Sequence, residues 1–305
     1  MPVADQLKQR PTTKSRPAPS GIGPWLPWTD RAGRLSMLKL VVFIIVCAPT
    51  VYMLAVWWAD KLPTMTTFVV KESGEWSMRF IVAAVAVSPL RRIARFNKLI
   101  LVRRMLGLAS LFYGFVHLWF YFTSQHYDWR FILEGALTAP FLTTGYIALL
   151  LMIVLGVTSN DLSVRKLGTN GWRRVHWIVF PAAVLSLLHF ILERRTDGDE
   201  IALISGILLY LLSYRVMRYY NLPTGPIMLF LLAPLAALAT VGMEGAFYKF
   251  ATGVHAPTIM WLNVTFHEGL RPAWWVLFAC LIIALVMIVQ ERFFSSAPAR
   301  GDRRR

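Results

Sequence analysis

The fold class is decided by the stretch LVRRMLGLASLFYGFVHLWFY, residues 101–121, which is apolar after its two arginines and contains His117 in its second half. A second stretch, GWRRVHWIVFPAAVLSLLHFIL at residues 171–192, also begins with paired arginines and contains His176 and His189. A helix of roughly 20 apolar residues crosses the hydrocarbon core of a bilayer. Because a titratable ring in that layer is costly, an intramembrane histidine indicates a functional site by default. The two stretches therefore predict membrane-spanning helices built around three histidines.

The composition extends this prediction to the whole chain. Of its 305 residues, 56% are hydrophobic, and the mean hydropathy is +0.53, as in polytopic membrane proteins. The apolar runs predict eight spans: Met37–Trp58, Trp76–Leu90, Met105–Phe122, Thr138–Val157, Trp172–Leu192, Ile201–Tyr214, Ile227–Val241 and Ala273–Val289. The second and sixth runs are short for a span. The predicted fold class is an all-α integral membrane protein, a polytopic helical bundle.

The basic balance of the chain is a topology signal. A net charge of +16 fits either nucleic acid or a membrane surface. If the N-terminus is cytoplasmic and all eight runs span, 24 of the 32 lysines and arginines and 5 of the 16 acidic residues lie on the cytoplasmic side. This asymmetry follows the positive-inside rule. We therefore expect a multi-pass membrane protein with both termini in the cytoplasm, surrounded by the lipid bilayer, and no nucleic-acid partner.

Three segments divide the chain. Residues 1–35 contain six prolines and scattered basic residues without a helical period, which predicts a disordered basic cytoplasmic tail. Residues 36–222 contain the first six predicted spans and the three histidines, and form the predicted six-helix transmembrane core. Residues 223–305 follow the break LPTGP and form a predicted C-terminal extension with two further transmembrane helices.

The polar connections between spans are predicted as loops. Ser88–Arg104 and Asn160–Arg174 are basic and are assigned to the cytoplasmic side, and Gly168 and Gly171 break the second of them. Gly242–Pro272 is predicted as a long external loop. It contains two further histidines, which are most simply solvated, although an external metal or docking role stays open: His255 and His267.

The spacing of the three intramembrane histidines predicts a haem site. Neutral imidazole is the common axial ligand of haem iron. His176 and His189 are 13 residues apart, about 20 Å along a helix, which fits two depths rather than two ligands of one ion. His117 lies 13 residues past Arg104 and His189 lies 15 past Arg174, so these two histidines share a depth on parallel helices. They are the natural axial pair of one b-type haem, and a second haem at His176 would need another kind of second ligand.

Two features of the surrounding sequence bear on this pairing. Thirteen steps of about 100° leave His176 and His189 roughly 140° apart around one helix, and Pro181 between them can kink or re-register it. Aromatic residues flank His117, and glycines of the third and fourth spans leave room for a macrocycle: Phe112, Tyr113, Phe115, Trp119, Phe120 and Tyr121, and Gly107, Gly114, Gly145 and Gly156.

Other cofactor chemistry has no motif in the sequence. Cys47 and Cys280 fall inside predicted spans, and neither belongs to the C-x-x-C-H pattern of covalent haem attachment. The sequence has no G-x-G-x-x-G, no phosphate loop and no nicotinamide or flavin domain. Electrons must therefore come from a separate protein, a bound flavin or a membrane carrier such as quinol.

Several motifs together resemble the MsrQ (YedZ) family, which belongs to the wider ferric-reductase-like transmembrane group. They are SPLRRIARF, R-R-x-L-G-L before His117, T-S before the basic K-L-G loop, and the H-x12-H spacing of His176 and His189. The resemblance covers roughly residues 40–220. It implies that His117, His176 and His189 are the haem-ligating positions, and that one or two b haems and a flavin mononucleotide (FMN) are bound.

The resemblance also implies a function. It identifies the chain as a non-catalytic electron-transfer subunit of the bacterial inner membrane. Electrons would pass from the quinone pool or a cytoplasmic flavin reductase to a periplasmic molybdopterin reductase subunit that repairs oxidised methionines. Two alternatives stay open: a stand-alone ferric reductase or oxidase-type cytochrome b, and a haem-free transporter, although the inverted repeats and charged spans of transporters are not visible.

Overall fold

The computed structural model describes residues 26–30, 33–59, 64–193, 198–266 and 269–294. Within these ranges the chain is helical, and its one strand-like pairing is an isolated bridge between Thr29 and Leu35. The helices are α1 (Met37–Trp58), α2 (Met65–Ile93), α3 (Ile100–Ser124), α4 (Trp129–Thr138), α5 (Pro140–Val157), α6 (Asp161–Val175), α7 (Val179–Leu192), α8 (Gly198–Tyr219), α9 (Pro226–Thr252), α10 (Ala256–Thr265) and α11 (Pro272–Phe294).

Seven helical segments of the described chain are long and apolar enough to cross a membrane. They are Met37–Trp58, Asn97–Ser124, Pro140–Val157, Asp161–Leu192, Gly198–Tyr219, Pro226–Thr252 and Pro272–Phe293. Each overlaps one of the eight predicted spans. The remaining prediction, Trp76–Leu90, lies inside α2, which is 29 residues long but contains six charged side chains. This helix is long enough to span a membrane, but its charged residues make it less apolar than the other seven segments.

The α2 helix nevertheless runs beside α3 for most of its length, and the two helices are antiparallel. Ser77 and Ser110 exchange hydrogen bonds, each hydroxyl donating to the other's carbonyl oxygen, at 2.8 and 2.7 Å. Toward one end of the pair, Val70 contacts His117. Tyr113, which is fully buried, donates to the Val46 carbonyl at 2.8 Å and so joins α1 to this pair.

A second core joins α2, α7 and α8, and a third joins α8 to the C-terminal helices. Val85, Ala182 and Leu208 are at most 2% exposed in the second core. In the third core, Gly206 of α8 lets α9 and α11 approach closely, because a Cβ there would collide with the side chains of Thr240 and Val276. The two C-terminal candidate spans therefore pack on the sixth helix of the predicted core.

Three predicted loops are largely helical instead. Within Ser88–Arg104, α2 continues through Pro89 to Ile93, and α3 begins at Ile100 after a 3₁₀ turn. Asn160–Arg174 contains α6, in which Gly168 breaks the helical dihedrals with a φ of 68°. Gly242–Pro272 contains the end of α9 and all of α10. These predictions were wrong because charged residues were read as breaks, whereas a helix tolerates charged residues on its exposed side and wherever its neighbours pair them.

The structure describes the last part of the tail that was predicted to be disordered, residues 26–30 and 33–35. Residues 1–25, 31 and 32 lie outside the described residues. Thr29 is 6% exposed and accepts a hydrogen bond on its carbonyl from Lys39 at 2.8 Å. Trp28 meets Phe43 of α1 edge to face, with ring centroids 5.1 Å apart. The segment just before α1 is therefore packed against that helix.

Candidate functional site

His117 of α3 and His189 of α7 lie together in the bundle. Their ring centroids are 6.0 Å apart and the ring planes are nearly perpendicular, at 83°. Both residues are half-buried. They come from helices that are distant in sequence and that the spacing analysis places at one depth. The end of the bundle that holds this pair is called the histidine end below, and the end where α2 finishes and α3 begins is called the basic end.

Each ring of the pair is oriented by a backbone carbonyl. The Nδ1 atom of His117 lies 2.8 Å from the Val70 carbonyl oxygen, and Nδ1 of His189 lies 2.6 Å from that of Phe141. Because a carbonyl oxygen only accepts, each Nδ1 carries the proton and each neutral ring keeps its lone pair on Nε2. Neither Nε2 has a hydrogen-bond partner in the described part of the chain. Nδ1–H donating to a carbonyl is the usual support of a metal-ligating histidine.

Two glycines make room for the two rings. A Cβ added to Gly74 would lie 2.8 Å from Nδ1 of His117, and a Cβ added to Gly145 would lie 2.8 Å from Nδ1 of His189. Real Cβ atoms do not approach ring atoms so closely. The glycines therefore let α2 approach the His117 ring and α5 approach the His189 ring equally closely. Gly145 was predicted to leave space for a macrocycle, and its nearest neighbour is a histidine ring.

The pair fits the axial ligands of one haem. Metal–imidazole bonds are about 2 Å long, so two rings that ligate one ion from opposite sides have centroids roughly 6 Å apart. The observed spacing matches this value. Among the described residues, no group of three His, Cys, Asp or Glu side chains is placed to hold a metal ion. Two imidazoles with free Nε2 atoms are a ligand set that haem iron accepts.

The aromatic residues expected to flank this site lie mostly elsewhere. Phe112, Phe115 and Trp119 of α3 are 52%, 46% and 62% exposed, so they lie on the outer surface of the bundle. The exception is on α5, where the Phe141 ring stacks nearly parallel to His189 at 6.4 Å. At 100° per residue, these three residues lie on the side of α3 that faces away from His117.

His176 lies apart from the pair, toward the basic end. It begins a 3₁₀ turn, His176–Ile178, that joins α6 to α7. Its Nε2 is 3.3 Å from the Thr158 hydroxyl, and its ring stacks on Trp172 with centroids 3.9 Å apart. The Trp172 indole also donates to the Thr158 carbonyl at 2.9 Å. Within the described part of the chain, the site therefore has an aromatic face and a hydroxyl but no second histidine.

The other two histidines that the structure describes have no such environment. His126 has a positive φ of 51° in the turn after α3 and is exposed, and His255 is the exposed residue before α10. His267 lies outside the described residues.

Sequence reasoning missed a set of ion pairs that stands next to the histidine end. Glu75 of α2 is 5% exposed and accepts from Arg79 at 3.0 Å. The same Arg79 donates through Nε to Glu200 of α8 at 2.7 Å. Glu75 follows Gly74, whose backbone contacts the His117 ring. The i, i+4 spacing of Glu75 and Arg79 was the available signal, and it identifies a helix in which opposite charges are paired rather than a break between spans.

A second ion-pair group adjoins the first and binds the C-terminal helices. Glu244 of α9 is fully buried; Arg271 donates to it through Nε at 2.8 Å, and Asn263 of α10 donates at 2.9 Å. Arg271 also donates to Asp199, the neighbour of Glu200, at 3.0 Å. Burial lowers the pKa of the Arg271 guanidinium, but its hydrogen bond and attraction to Glu244 outweigh burial and raise this pKa above its ordinary value. Arg271 therefore stays charged.

Known proteins share the helices that form this site. The model of the family described as ferric reductase like transmembrane component matches residues 73–187. A "Protein-methionine-sulfoxide reductase heme-binding subunit MsrQ" of Xanthomonas oryzae pv. oryzae is 40% identical over 147 residues, which are 48% of this chain and 67% of the relative. Proteins of the same name from Ralstonia nicotianae and Azospira oryzae are both 31% identical; they match 60% and 63% of this chain and 86% and 84% of their own lengths. The chain belongs to the MsrQ family.

Membership of this family and the seven candidate spans make the chain a multi-pass helical membrane protein. The ferric-reductase-like match begins in α2 and ends at Leu187. It includes His117 and His176 and stops two residues before His189. The C-terminal helices α9, α10 and α11 lie beyond it. No solved structure matches the chain.

Proposed function

We propose that this chain is the haem-binding electron-transfer subunit of a protein-methionine-sulfoxide reductase system. It receives electrons at the basic end and passes them to a reductase subunit that docks at the histidine end. Its MsrQ relatives are named as haem-binding subunits of such a reductase. The chain itself does not reduce the sulfoxide, so it acts as a subunit rather than as a complete enzyme.

The observation that supports this function best is the geometry of His117 and His189. Their Nδ1 protons are held by two carbonyl oxygens, so both Nε2 lone pairs are available to one iron. A b haem bound there supplies a one-electron couple, and the protein contributes ligands, orientation and a largely apolar surrounding that tunes its potential. His117 and His189 would hold the haem iron between two imidazoles, an arrangement that would suit electron transfer rather than substrate binding.

His176 is the proposed entry station for electrons. It is 13 residues from His189, about 20 Å along the helix axis, and therefore lies near the opposite face of the bilayer. Its indole-stacked ring and the Thr158 hydroxyl can hold a planar cofactor, either a second haem with a non-histidine ligand or FMN. The proposed donors are the quinone pool or a cytoplasmic flavin reductase, since the sequence contains no nicotinamide domain.

The orientation follows from the charges. Arginines 91, 92, 95, 103 and 104 all lie where α2 ends and α3 begins, which assigns the basic end to the cytoplasm. The proposed location is the bacterial inner membrane with both termini in the cytoplasm. The histidine end then faces the periplasm, where the partner is a molybdopterin-containing reductase subunit.

An optical spectrum of the purified chain tests the proposal most directly. Expressed in haem-replete cells, the chain should purify red, with a low-spin b-type spectrum and a positive pyridine haemochrome assay. Adding the periplasmic reductase with methionine sulfoxide should then reoxidise the chemically reduced chain. A colourless preparation would overturn haem binding, and a red preparation that stays reduced with the partner would overturn the assigned electron acceptor.

A further inference from the structure

Arg215 of α8 is a cation placed inside the bundle near the basic end. Its Nη2 donates to the Val85 carbonyl of α2 at 2.7 Å, and its guanidinium lies over the Phe180 ring of α7 at 4.7 Å. Its Nε is buried and has no hydrogen-bond partner among the described residues. Since Val85 is 1% exposed, the guanidinium reaches the interior where α2, α7 and α8 meet.

Two other arginines lie near Arg215 at the basic end: Arg103, which is half-buried, and Arg92, which is exposed. Arg92 and Arg103 are near enough to repel it, and Arg91 repels Arg103. No carboxylate of the described chain lies within 4 Å of any of these four residues. Asp161, the first residue of α6, forms an ion pair with Arg104 at 2.8 Å.

Like charges brought together at a partly buried position destabilise a fold unless an anion compensates them. Leaving a charged group desolvated and unpaired is among the costliest arrangements in a protein. Guanidinium groups bind phosphate oxygens through paired N–H donors. Basic pockets between transmembrane helices at the cytoplasmic face bind anionic lipid head groups in this way. The cluster therefore has the chemistry of a phosphate site.

We propose that Arg92, Arg103 and Arg215 form a binding site for a phosphate group, either the phosphodiester of an anionic phospholipid or a soluble phosphate ester. Arg215 contributes the buried contact through its free Nε, and Arg92 and Arg103 close the site from α2 and α3. The ligand joins three helices at the end of the bundle opposite to the paired histidines. The site does not depend on haem, so it can be tested in preparations with or without the cofactor.

Native mass spectrometry of the full chain, released from nanodiscs containing phosphatidylglycerol and phosphatidylcholine, tests the lipid source. The chain should retain phosphatidylglycerol selectively, and Arg215→Gln should weaken this binding roughly fivefold or more. Arg218→Gln is the matched control, because Arg218 lies one turn further along α8 and is exposed. If Arg215→Gln lowers expression, Arg103→Gln serves as the second variant and Arg215→Lys should keep most of the binding.

Thermal unfolding in delipidated detergent solution tests the soluble source. Inorganic phosphate should raise the unfolding temperature of the parent chain more than sodium chloride of equal ionic strength, and this excess should vanish in Arg215→Gln. Selective lipid retention supports the phospholipid, and phosphate-specific stabilisation without lipid supports a soluble ester. Equal lipid retention by parent and Arg215→Gln, together with equal responses to phosphate and chloride, would overturn the site.

Discussion

Gly74 and His117 touch across the interface of α2 and α3, so that a Cβ on the glycine would lie 2.8 Å from Nδ1 of the ring. Gly145 has the same relationship to His189 across α5 and α7. The contact explains how each ring reaches the carbonyl that orients it, since a larger residue would push the ring away from Val70 or Phe141. The two glycines thus position the two histidine rings.

Substituting either glycine should disturb the haem while leaving the helix intact. Alanine favours a helix by about 1 kcal/mol over glycine, so Gly74→Ala and Gly145→Ala should not weaken α2 or α5 themselves. The added methyl group should displace the ring and lower haem occupancy roughly tenfold or more, in the range seen when groups supporting a metal ligand are changed. Haem per protein is measured by pyridine haemochrome. Gly107→Ala is the control, because nothing lies within 4 Å of its Cβ position; an equal loss there would contradict this role.

Removing either paired histidine should eliminate the same haem. His117→Ala and His189→Ala each delete one of two opposite ligands, so both should abolish the low-spin spectrum. His126→Ala, which changes an exposed histidine just beyond α3, should leave the spectrum unchanged. The spectra of membranes and of purified protein check this result. Retention of a full low-spin signal in His117→Ala would show that the pair does not ligate one iron.

The proximity of His117 and His189 could be predicted from the sequence, whereas the support of their rings could not. Paired arginines mark one membrane face on two parallel helices, so counting residues from them gives depth. Which carbonyl or glycine meets a ring depends on helix rotation and register, and these are set by packing. The assignment of the pair as haem ligands stays a prediction.

The sequence composition predicted only the second half of the charged helix α2. Lys71, Glu72 and Glu75 left its first half outside the predicted span, which therefore began at Trp76. In the folded chain Glu75 and Arg79 are paired with each other and with Glu200, which lies 121 residues from Arg79 in sequence. A local sequence pattern cannot predict an ion pair between residues that are so far apart in sequence. Glu244 was assigned to a loop for the same reason, because its partner Arg271 is 27 residues away.

Breaking the Glu244–Arg271 pair should destabilise the C-terminal helices strongly. Glu244→Gln leaves Arg271 largely buried beside a neutral side chain, and breaking a buried pair costs about 3–5 kcal/mol. Asp161→Asn is the control, because the Arg104–Asp161 pair has side chains 48% and 72% exposed and should contribute at most about 1 kcal/mol. Thermal unfolding in detergent, followed by tryptophan fluorescence, compares the two. Similar unfolding temperatures for both variants would show that Asp199 suffices to hold Arg271.

The proposed orientation predicts the behaviour of topology reporters. Alkaline phosphatase, which is active only outside the cytoplasm, should be active when fused after Asp197, between α7 and α8, and inactive when fused after Arg305. The reason is the concentration of arginines at the basic end, which retains that end in the cytoplasm. A green fluorescent protein fusion after Arg305 should fluoresce and serves as the complementary control. Phosphatase activity after Arg305 but not after Asp197 would reverse the orientation.

His176→Ala should separate electron entry from haem binding at the pair. Its ring lies about 20 Å along the helix from His189, so the low-spin spectrum of the pair should survive the substitution. Reduction of that haem by the physiological donor should be slow, because the entry station is lost, whereas dithionite should still reduce it. Thr158→Val removes the hydroxyl beside His176 and should slow donor-dependent reduction to a smaller extent. Stopped-flow absorbance with each reductant distinguishes these steps. If His176→Ala loses all haem, the kink at the His176–Ile178 turn brings this ring into the same site, and the two-station arrangement is wrong.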